Sequence, residues 1–385
     1  MKPPVYSTLE LLERLVAFDT TSHKSNLPLI RFVEDYLAQN RIASHLVPTP
    51  DGTKASLFAT IGPAGVPGVA LSAHTDVVPV DGQTWTTDPF RLADLGDRVV
   101  GRGTTDMKGF LACVLAMVPE FTARKLKTPI HLALSYDEEI GCVGVRPMIS
   151  EFGSRLVKPR MVIVGEPTSM MVVDAHKGPV RWHVEIKGRA THSSMAQLGV
   201  NAITYAGRLI GELERIEARL KTETDERFDP PYATLQVTRI EGGTASNIVP
   251  VSAWLGFEVR ALPRTDTRRI LRELQTFADT VCLPQMREVA LEAEITITQT
   301  NSVAPFRADP DSELSALVLK LLGQNETFAA SYATEAGFFQ GAGSAAIICG
   351  PGDIAQAHTA DEWVAKAQLE ACSAFLARLA DWCET

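Results

Sequence analysis

Four compact runs constrain this chain more than any other feature: residues 57–61, 69–74, 130–136 and 161–164 are largely apolar, and each gives way at once to polar or glycine-containing sequence. A run that is apolar on successive rather than alternate residues makes a strand buried on both faces, the kind found in a parallel sheet under helices. The stretches between these runs carry helical spacing. Thr8 is placed to cap a helix with Leu11, Leu12, Leu15 and Val16 on one face, a second helix over 28–39 turns Ile30, Phe32, Val33 and Leu37 inward, and a third covers 107–121. Strands interleaved with helices predict an α/β body around a mostly covered central sheet.

The texture changes near Lys177. A strand over 180–186 leads to a long helix over 201–220, with Ile203, Ala206, Leu209, Ile210 and Leu213 as its apolar stripe. Strands over 232–240 and 253–259, a helix over 265–281 and a strand over 289–298 complete a β-α-β-β-α-β order, which makes a small two-layer α+β domain. Helices over 312–322 and 361–382 read as a return to the first domain. The expected organisation is therefore a catalytic domain in two parts, 1–176 and 299–385, with an inserted domain at 177–298.

Composition excludes several classes. A chain of 385 residues, 45% hydrophobic, buries a large core and is not a disordered segment. A formal charge of −9 argues against a nucleic-acid or anionic-membrane surface. Residues 1–12 lack the basic start and apolar stretch of a signal peptide, and no apolar run reaches the ~20 residues that span a bilayer, so a cytoplasmic protein is expected. The six cysteines, at 113, 142, 282, 349, 372 and 383, have no metal-site spacing and read as buried free thiols.

Chemistry collects where the apolar runs end. His74 and Asp76 are two apart, so an extended strand end puts both on one face, where Asp76 could accept from the far nitrogen of a metal-bound imidazole or bind metal itself. The glycine-rich turn 101–109 carries Asp106, which could cap the following helix; the turn lacks the order of residues that cradles nucleotide phosphates. Asp137, Glu138 and Glu139 follow an apolar strand directly. In regular strand geometry Glu138 and Glu139 would point to opposite faces, so the chain must leave the strand near Asp137 if both serve one site, and Gly141 permits that. Glu166 follows another strand, and His358 closes the glycine-containing segment 350–358. Together His74, Asp106, Glu139, Glu166 and His358 supply two imidazoles and three carboxylates, a set suited to two divalent metals sharing a carboxylate. Glu138, left over beside them, could move a proton from water to a leaving amine.

Taken in order, the His74 and Asp76 pair, the turn ending at Gly109, the acids 137–139, Gly165 with Glu166, and Ala357 with His358 resemble the site motifs of the co-catalytic zinc peptidase and deacylase family. That family includes acetylornithine deacetylase, succinyl-diaminopimelate desuccinylase, aminoacylases and carboxypeptidase G, and the resemblance covers nearly the whole chain. It implies a zinc-peptidase-like catalytic domain with an inserted lid and dimerisation domain. It implies two divalent metal ions, zinc in the first place and cobalt as the alternative. Asp106 would bridge them, His74 and Glu166 would complete one site, and Glu139 and His358 the other. Asp76 would orient His74, Glu138 would be the general acid and base, and the peptide after Asp106 would be cis. In the inserted domain, His192 resembles the histidine that reaches a partner subunit's site in a homodimer, whereas taken alone it reads as a capping or surface residue. Asn247 and Arg260 match lid positions associated with polar groups of the substrate, and a guanidinium can also clamp a carboxylate through two parallel bonds. The segments 332–337 and 350–362 look most like the acetylornithine deacetylase branch. Glu335 could there meet a cationic side chain, with a helix-start carboxylate as its competing role. The expected reaction is removal of acetyl from N2-acetyl-L-ornithine in arginine biosynthesis. Another small N-acyl amino acid, such as acetylcitrulline or succinyl-diaminopimelate, would keep the same chemistry. A metal-free binding protein is the remaining class, and retention of all five ligand residues and Glu138 counts against it.

Overall fold

The computed structural model describes residues 5–385, which fall into two compact units. The first takes the chain up to Ala175 and again at Phe306–Phe328 and Thr334–Thr385; the second takes His176–Pro305 and Ala329–Ala333. The chain opens with α1 (Thr8–Val16), α2 (Leu27–Gln39), β1 (Ser44–Pro48), β2 (Ala55–Ile61) and β3 (Val69–His74). It continues through β4 (Ala93–Asp94), β5 (Arg98–Val100), α3 (Lys108–Ala123), β6 (Ile130–Ser135), α4 (Val145–Ser150), β7 (Met161–Val164) and β8 (Val173–His176). The second unit holds β9 (Gly178–Lys187), α5 (Ala202–Leu220), β10 (Thr234–Gly242), β11 (Ser252–Ala261), α6 (Thr267–Phe277), α7 (Leu283–Arg287) and β12 (Glu294–Ser302). The return runs through β13 (Phe306–Arg307), α8 (Glu313–Leu322), β14 (Phe328–Ala330), α9 (Ala336–Gly341), β15 (Ala345–Ile348), β16 (Trp363–Ala365) and α10 (Lys366–Cys383).

The main sheet has the order β1, β2, β6, β3, β7, β15, β8, β13. Within it β6, β3, β7 and β15 are parallel neighbours. Every residue of β3, β6 and β7 is buried, as their continuous apolar sequences require. Leu57, Leu71, Leu132, Ile163 and Ile347 join a core shared with α1, α2, α3, α8 and α10. Residues of the other parity meet a second layer, where Phe58 stacks on His131 and meets Phe152, which in turn stacks on Phe339 of α9. Helices on both faces thus leave the strand ends as the open part of the sheet.

In the second unit an antiparallel sheet runs β10, β11, β9, β12. Alternate residues of β11, from Ala253 to Ala261, are buried, the period of a sheet covered on one face. Ala206, Leu209 and Leu213 of α5 are buried in that layer. Among the described residues no helix is long and apolar enough to cross a membrane, and all six cysteines are free and buried.

The structure corrects four local expectations. Ser7, not Thr8, caps α1: its Oγ accepts from the Glu10 amide at 3.3 Å while the Glu10 carboxylate accepts the Ser7 amide at 2.8 Å, a reciprocal box. The segment 361–382 is not one helix, because Trp363 to Ala365 pair with β5 before α10 begins at Lys366. The strand expected from residue 289 begins at Glu294. Ile203, assigned to the buried stripe of α5, is 40% exposed.

Candidate active site

The four parallel strands β6, β3, β7 and β15 end side by side, and each gives way to polar residues. From β3 come His74 and Asp76, from β6 the acids 137–139, from β7 Glu166, and from β15 the segment leading to His358. Glycine makes two of these exits possible. A Cβ on Gly165 would lie 2.0 Å from the Phe110 ring of α3, and one on Gly350 would lie 2.1 Å from the Gly165 carbonyl. Only bare backbone lets the ends of β7 and β15 lie this close to α3 and to each other.

Asp137 has φ 54°, so the chain does leave strand geometry there, as the paired acids require. The Asp76 carboxylate then holds the turn, accepting the Glu138 amide at 3.1 Å, the Glu139 amide at 3.3 Å and the Ser22 hydroxyl at 2.8 Å. Lys54 pairs with Asp137 on the same turn. His74 Nδ1 lies 2.9 Å from the Asp76 carbonyl and 3.6 Å from its carboxylate, so the main chain of Asp76 makes the closer contact with the imidazole. Asp106 precedes a cis peptide to Met107. It does not cap α3, whose N-terminal cap is Met107 without a side-chain bond.

The Asp106 carboxylate faces two ways. Its Oδ1 is 2.9 Å from His74 Nε2 and its Oδ2 is 3.1 Å from His358 Nε2. Glu166 Oε1 lies 3.9 Å from His74 Nε2, and Glu139 Oε2 lies 3.0 Å from His358 Nε2. Two groups of donors can hold a metal ion, His74 with Asp106 and Glu139, and His74 with Glu138 and Glu166, the donor atoms of each lying within 4.8 Å of one another. These residues fit divalent cations: ligands about 2 Å from one tetrahedral ion stand a little over 3 Å apart, close to the spacings found here.

The charges agree with the geometry. Burial pushes Glu138 and Glu166 well above the usual carboxylate range and Glu139 up to about 7. Burial acts the same way on Asp106 but is outweighed by His358 and His74, which hold it low. Hydrogen bonds to Asp106 and Glu139 push His358 up to about 11. Among the described residues no lysine or arginine forms an ion pair with Asp106, Glu138, Glu139 or Glu166, so this crowd of carboxylates calls for cations.

Glu335 stands at the start of α9, deeply buried. It is 1% exposed, accepts from Ser72 Oγ at 3.2 Å, and its Oε1 is buried without a hydrogen-bond partner. It makes no side-chain cap on that helix. His192, Asn247 and Arg260 lie in the second unit. His192 pairs with Ile248 across a short antiparallel bridge, and the Ser193 amide donates to the carbonyl of the adjoining Asn247 at 3.0 Å. His192 Nδ1 accepts the Ser194 amide at 3.2 Å, which caps a short 3₁₀ turn and puts the ring proton on Nε2. Arg260 is 3.0 Å from Glu258, which also takes Arg181 at 2.7 Å.

Several neighbours of the site carried little sequence signal. Ser22 reaches Asp76 from 54 residues away, and the thiol of Cys142 donates to Glu138 Oε1 at 3.2 Å although its sequence neighbourhood marked it only as buried. Glu362 accepts the backbone of the Asp106 turn, and the one hint was its place in a motif shared with a single branch of the resembled family.

The chain is similar to known proteins along its length. The family model described as peptidase family M20/M25/M40 matches residues 70–382. An acetylornithine deacetylase of Myxococcus xanthus is 35% identical over 373 residues, covering 95% of each chain. One of Shigella sonnei is 33% identical over 364 residues, covering 94% of this chain and 92% of that one. Among solved structures, the M20 family metallo-carboxypeptidase Sso-CP2 from Sulfolobus solfataricus superimposes with a TM-score of 0.77 at 18% identity, covering 98% of this chain and 99% of that one, a likeness of fold.

Proposed function

The chain belongs to peptidase family M20/M25/M40 and is a metal-dependent amidohydrolase, and from that premise we propose that it removes the acetyl group from N2-acetyl-L-ornithine, giving L-ornithine and acetate. What carries the choice of substrate is the near full-length likeness to acetylornithine deacetylases. Under this reading the step belongs to arginine biosynthesis in the cytoplasm.

His74 and Glu166 would hold one divalent cation and His358 and Glu139 the other, with Asp106 offering one oxygen to each. Bound there, the pair, zinc in this reading with cobalt as the alternative, would polarise the acyl carbonyl and make the attacking water acidic. Glu138 takes the proton from that water and gives it to the departing amine. Its burial raises its affinity for a proton, and the Cys142 thiol occupies Oε1, which leaves Oε2 for transfer. Asp76 fixes where Glu138 and Glu139 stand by binding both of their amides. In the second unit, His192 offers an Nε2 proton suited to a developing oxyanion, in this reading that of a partner subunit. Arg260 is assigned the substrate carboxylate and Asn247 a neutral polar contact. Exposed Met195, Leu198, Ile203, Ile240 and Ile248 on the second unit support a homodimer formed through it.

A neighbouring substrate would keep the same reaction: the side chain of acetylcitrulline is uncharged and would need no carboxylate such as Glu335, whose Oε1 is buried without a hydrogen-bond partner. A panel of acetylornithine, acetylcitrulline, acetylmethionine and succinyl-diaminopimelate, assayed with one metal-loaded preparation, decides the matter. The highest kcat/KM on acetylornithine is expected; a higher value on acetylcitrulline would transfer the assignment, and no hydrolysis of any of the four would end it.

A further inference from the structure

Beside the donor residues lies a buried charged cluster to which the reaction assigns no role. Arg102 and Glu362 are each 1% exposed. Glu362 Oε2 accepts Arg102 Nη1 at 2.7 Å and the Gly103 amide at 3.0 Å, while Oε1 accepts the Thr105 amide at 2.9 Å and the Asp106 amide at 3.1 Å. The Glu362 carbonyl also accepts the Gly101 amide at 2.9 Å. The turn that ends in Asp106 is therefore wrapped around one carboxylate. From the other side of the guanidinium, Arg102 Nη2 donates to Gln83 Oε1 at 2.6 Å, and Gln83 Nε2 donates to the carbonyl of His358 at 2.9 Å. Trp85 completes the corner, its Nε1 donating to Gln83 Oε1 at 3.0 Å and its ring lying 5.0 Å under the guanidinium.

We propose that Glu362, Arg102 and Gln83 form a positioning unit that sets the separation of Asp106 and His358, and with it the affinity of the donors around them for a divalent cation. The inference rests on the assignment of Asp106 and His358 as metal donors. An ion pair that only stabilised the fold would be complete with Arg102 and Glu362. Here three of the four donors to the carboxylate are amides of the Asp106 turn, and the guanidinium reaches the His358 main chain through one further side chain. His358 has particular need of such a hold. Its φ is 60°, a left-handed conformation disfavoured for a side-chain-bearing residue, and its side chain is half exposed, so packing alone does not fix it. Groups that orient metal donors from behind are commonly worth 10–100-fold in metal affinity.

The test uses the full chain stripped of metal by a chelator and titrated with Zn²⁺ in a calorimeter, with the Co²⁺ absorption spectrum as a record of donor geometry. Glu362→Gln keeps size but presents an amide NH₂ where two donors now converge; it should weaken Zn²⁺ binding at least ~10-fold and change the Co²⁺ spectrum. Gln83→Ala, at a half-buried loop position, should weaken only one of the two bound ions. Parent affinity and an unchanged spectrum in both variants would overturn the proposal, as would variants that melt earlier without metal yet bind it as the parent does. If Glu362→Gln does not fold, Gln83→Ala decides alone. Asp106→Ala separates the donor assignment from the positioning role: if it binds two Zn²⁺ as tightly as the parent, the assignment of donors fails and this inference with it. If it loses metal while both other variants bind normally, only the positioning unit is lost.

Discussion

Glu138 has two neighbourhoods, one shared with His74 and Glu166 and one made by the Cys142 thiol, and a single substitution tells which governs its role. Glu138→Ala should leave about two metal ions per chain and lower kcat at least ~100-fold, as expected for loss of proton transfer; elemental analysis showing one ion would make it a ligand instead. Away from the site, His131 makes a different forecast. The neutral ring accepts the Gly68 amide at Nε2, 3.1 Å away, and Nδ1 lies 2.9 Å from Thr60 Oγ1, while burial lowers it to about 4. The unfolded chain takes up this proton near pH 6.5 and the folded chain only near 4. His131 therefore contributes its full stability above pH 6.5 and loses it as pH falls toward 4, a span of about 3 kcal/mol. Urea midpoints for the parent and His131→Gln between pH 7.5 and 4 should converge on the acid side; parallel curves would refute the assignment. His74, the acids 137–139 and Glu166 were legible because each follows its own apolar run within a few residues. Glu362 was not, since its partners lie 256 to 260 residues away and no local pattern announces an interaction of that span.

At the scale of elements, the apolar runs announced β3, β6 and β7 nearly to the residue, because an interior parallel strand has no polar face to blur it. What they could not announce was order. β15 contributes only four residues, yet it lies between β7 and β8 and brings the loop of His358 to the other three strand ends. The segment over 361–382 misled for a related reason, since Trp363 and Val364 fit a helical stripe as well as a strand until pairing with β5 is known. Close approach at the ends of β7 and β15 gives a test of this layer. Gly165→Ala puts a methyl group into the Phe110 ring and should cost ~1–3 kcal/mol by overpacking, with activity falling as Glu166 shifts. Gly323→Ala is its control: φ is 68° at the end of α8, but the space around it is open, so a loss of about 1 kcal/mol with unchanged kcat is expected. Melting curves and rates on both variants compare the two; equal activity loss would show that strand-end packing is not what places Glu166.

At the scale of the molecule, exposed Ile203 and Ile240 on the second unit predict self-association there. Sedimentation should find a dimer, and charged substitutions at both positions should shift it toward monomer. Mixing His192→Ala with Glu138→Ala and allowing exchange should restore part of the activity, because a mixed dimer then holds one site with both residues intact; proven exchange without recovery would place His192 in its own subunit's site or outside catalysis. The position of β15 reaches beyond the finished protein. A ribosome delivers β7 by residue 164 and the strand that must lie beside it only at residue 345, after the entire second unit. Throughout that interval of translation the edge of β7 stands open to pairing with other chains. Of the residues proposed as donors, His74, Asp106 and Glu166 are made early and His358 last, so under that assignment the second metal position waits on almost two hundred further residues of translation after Glu166.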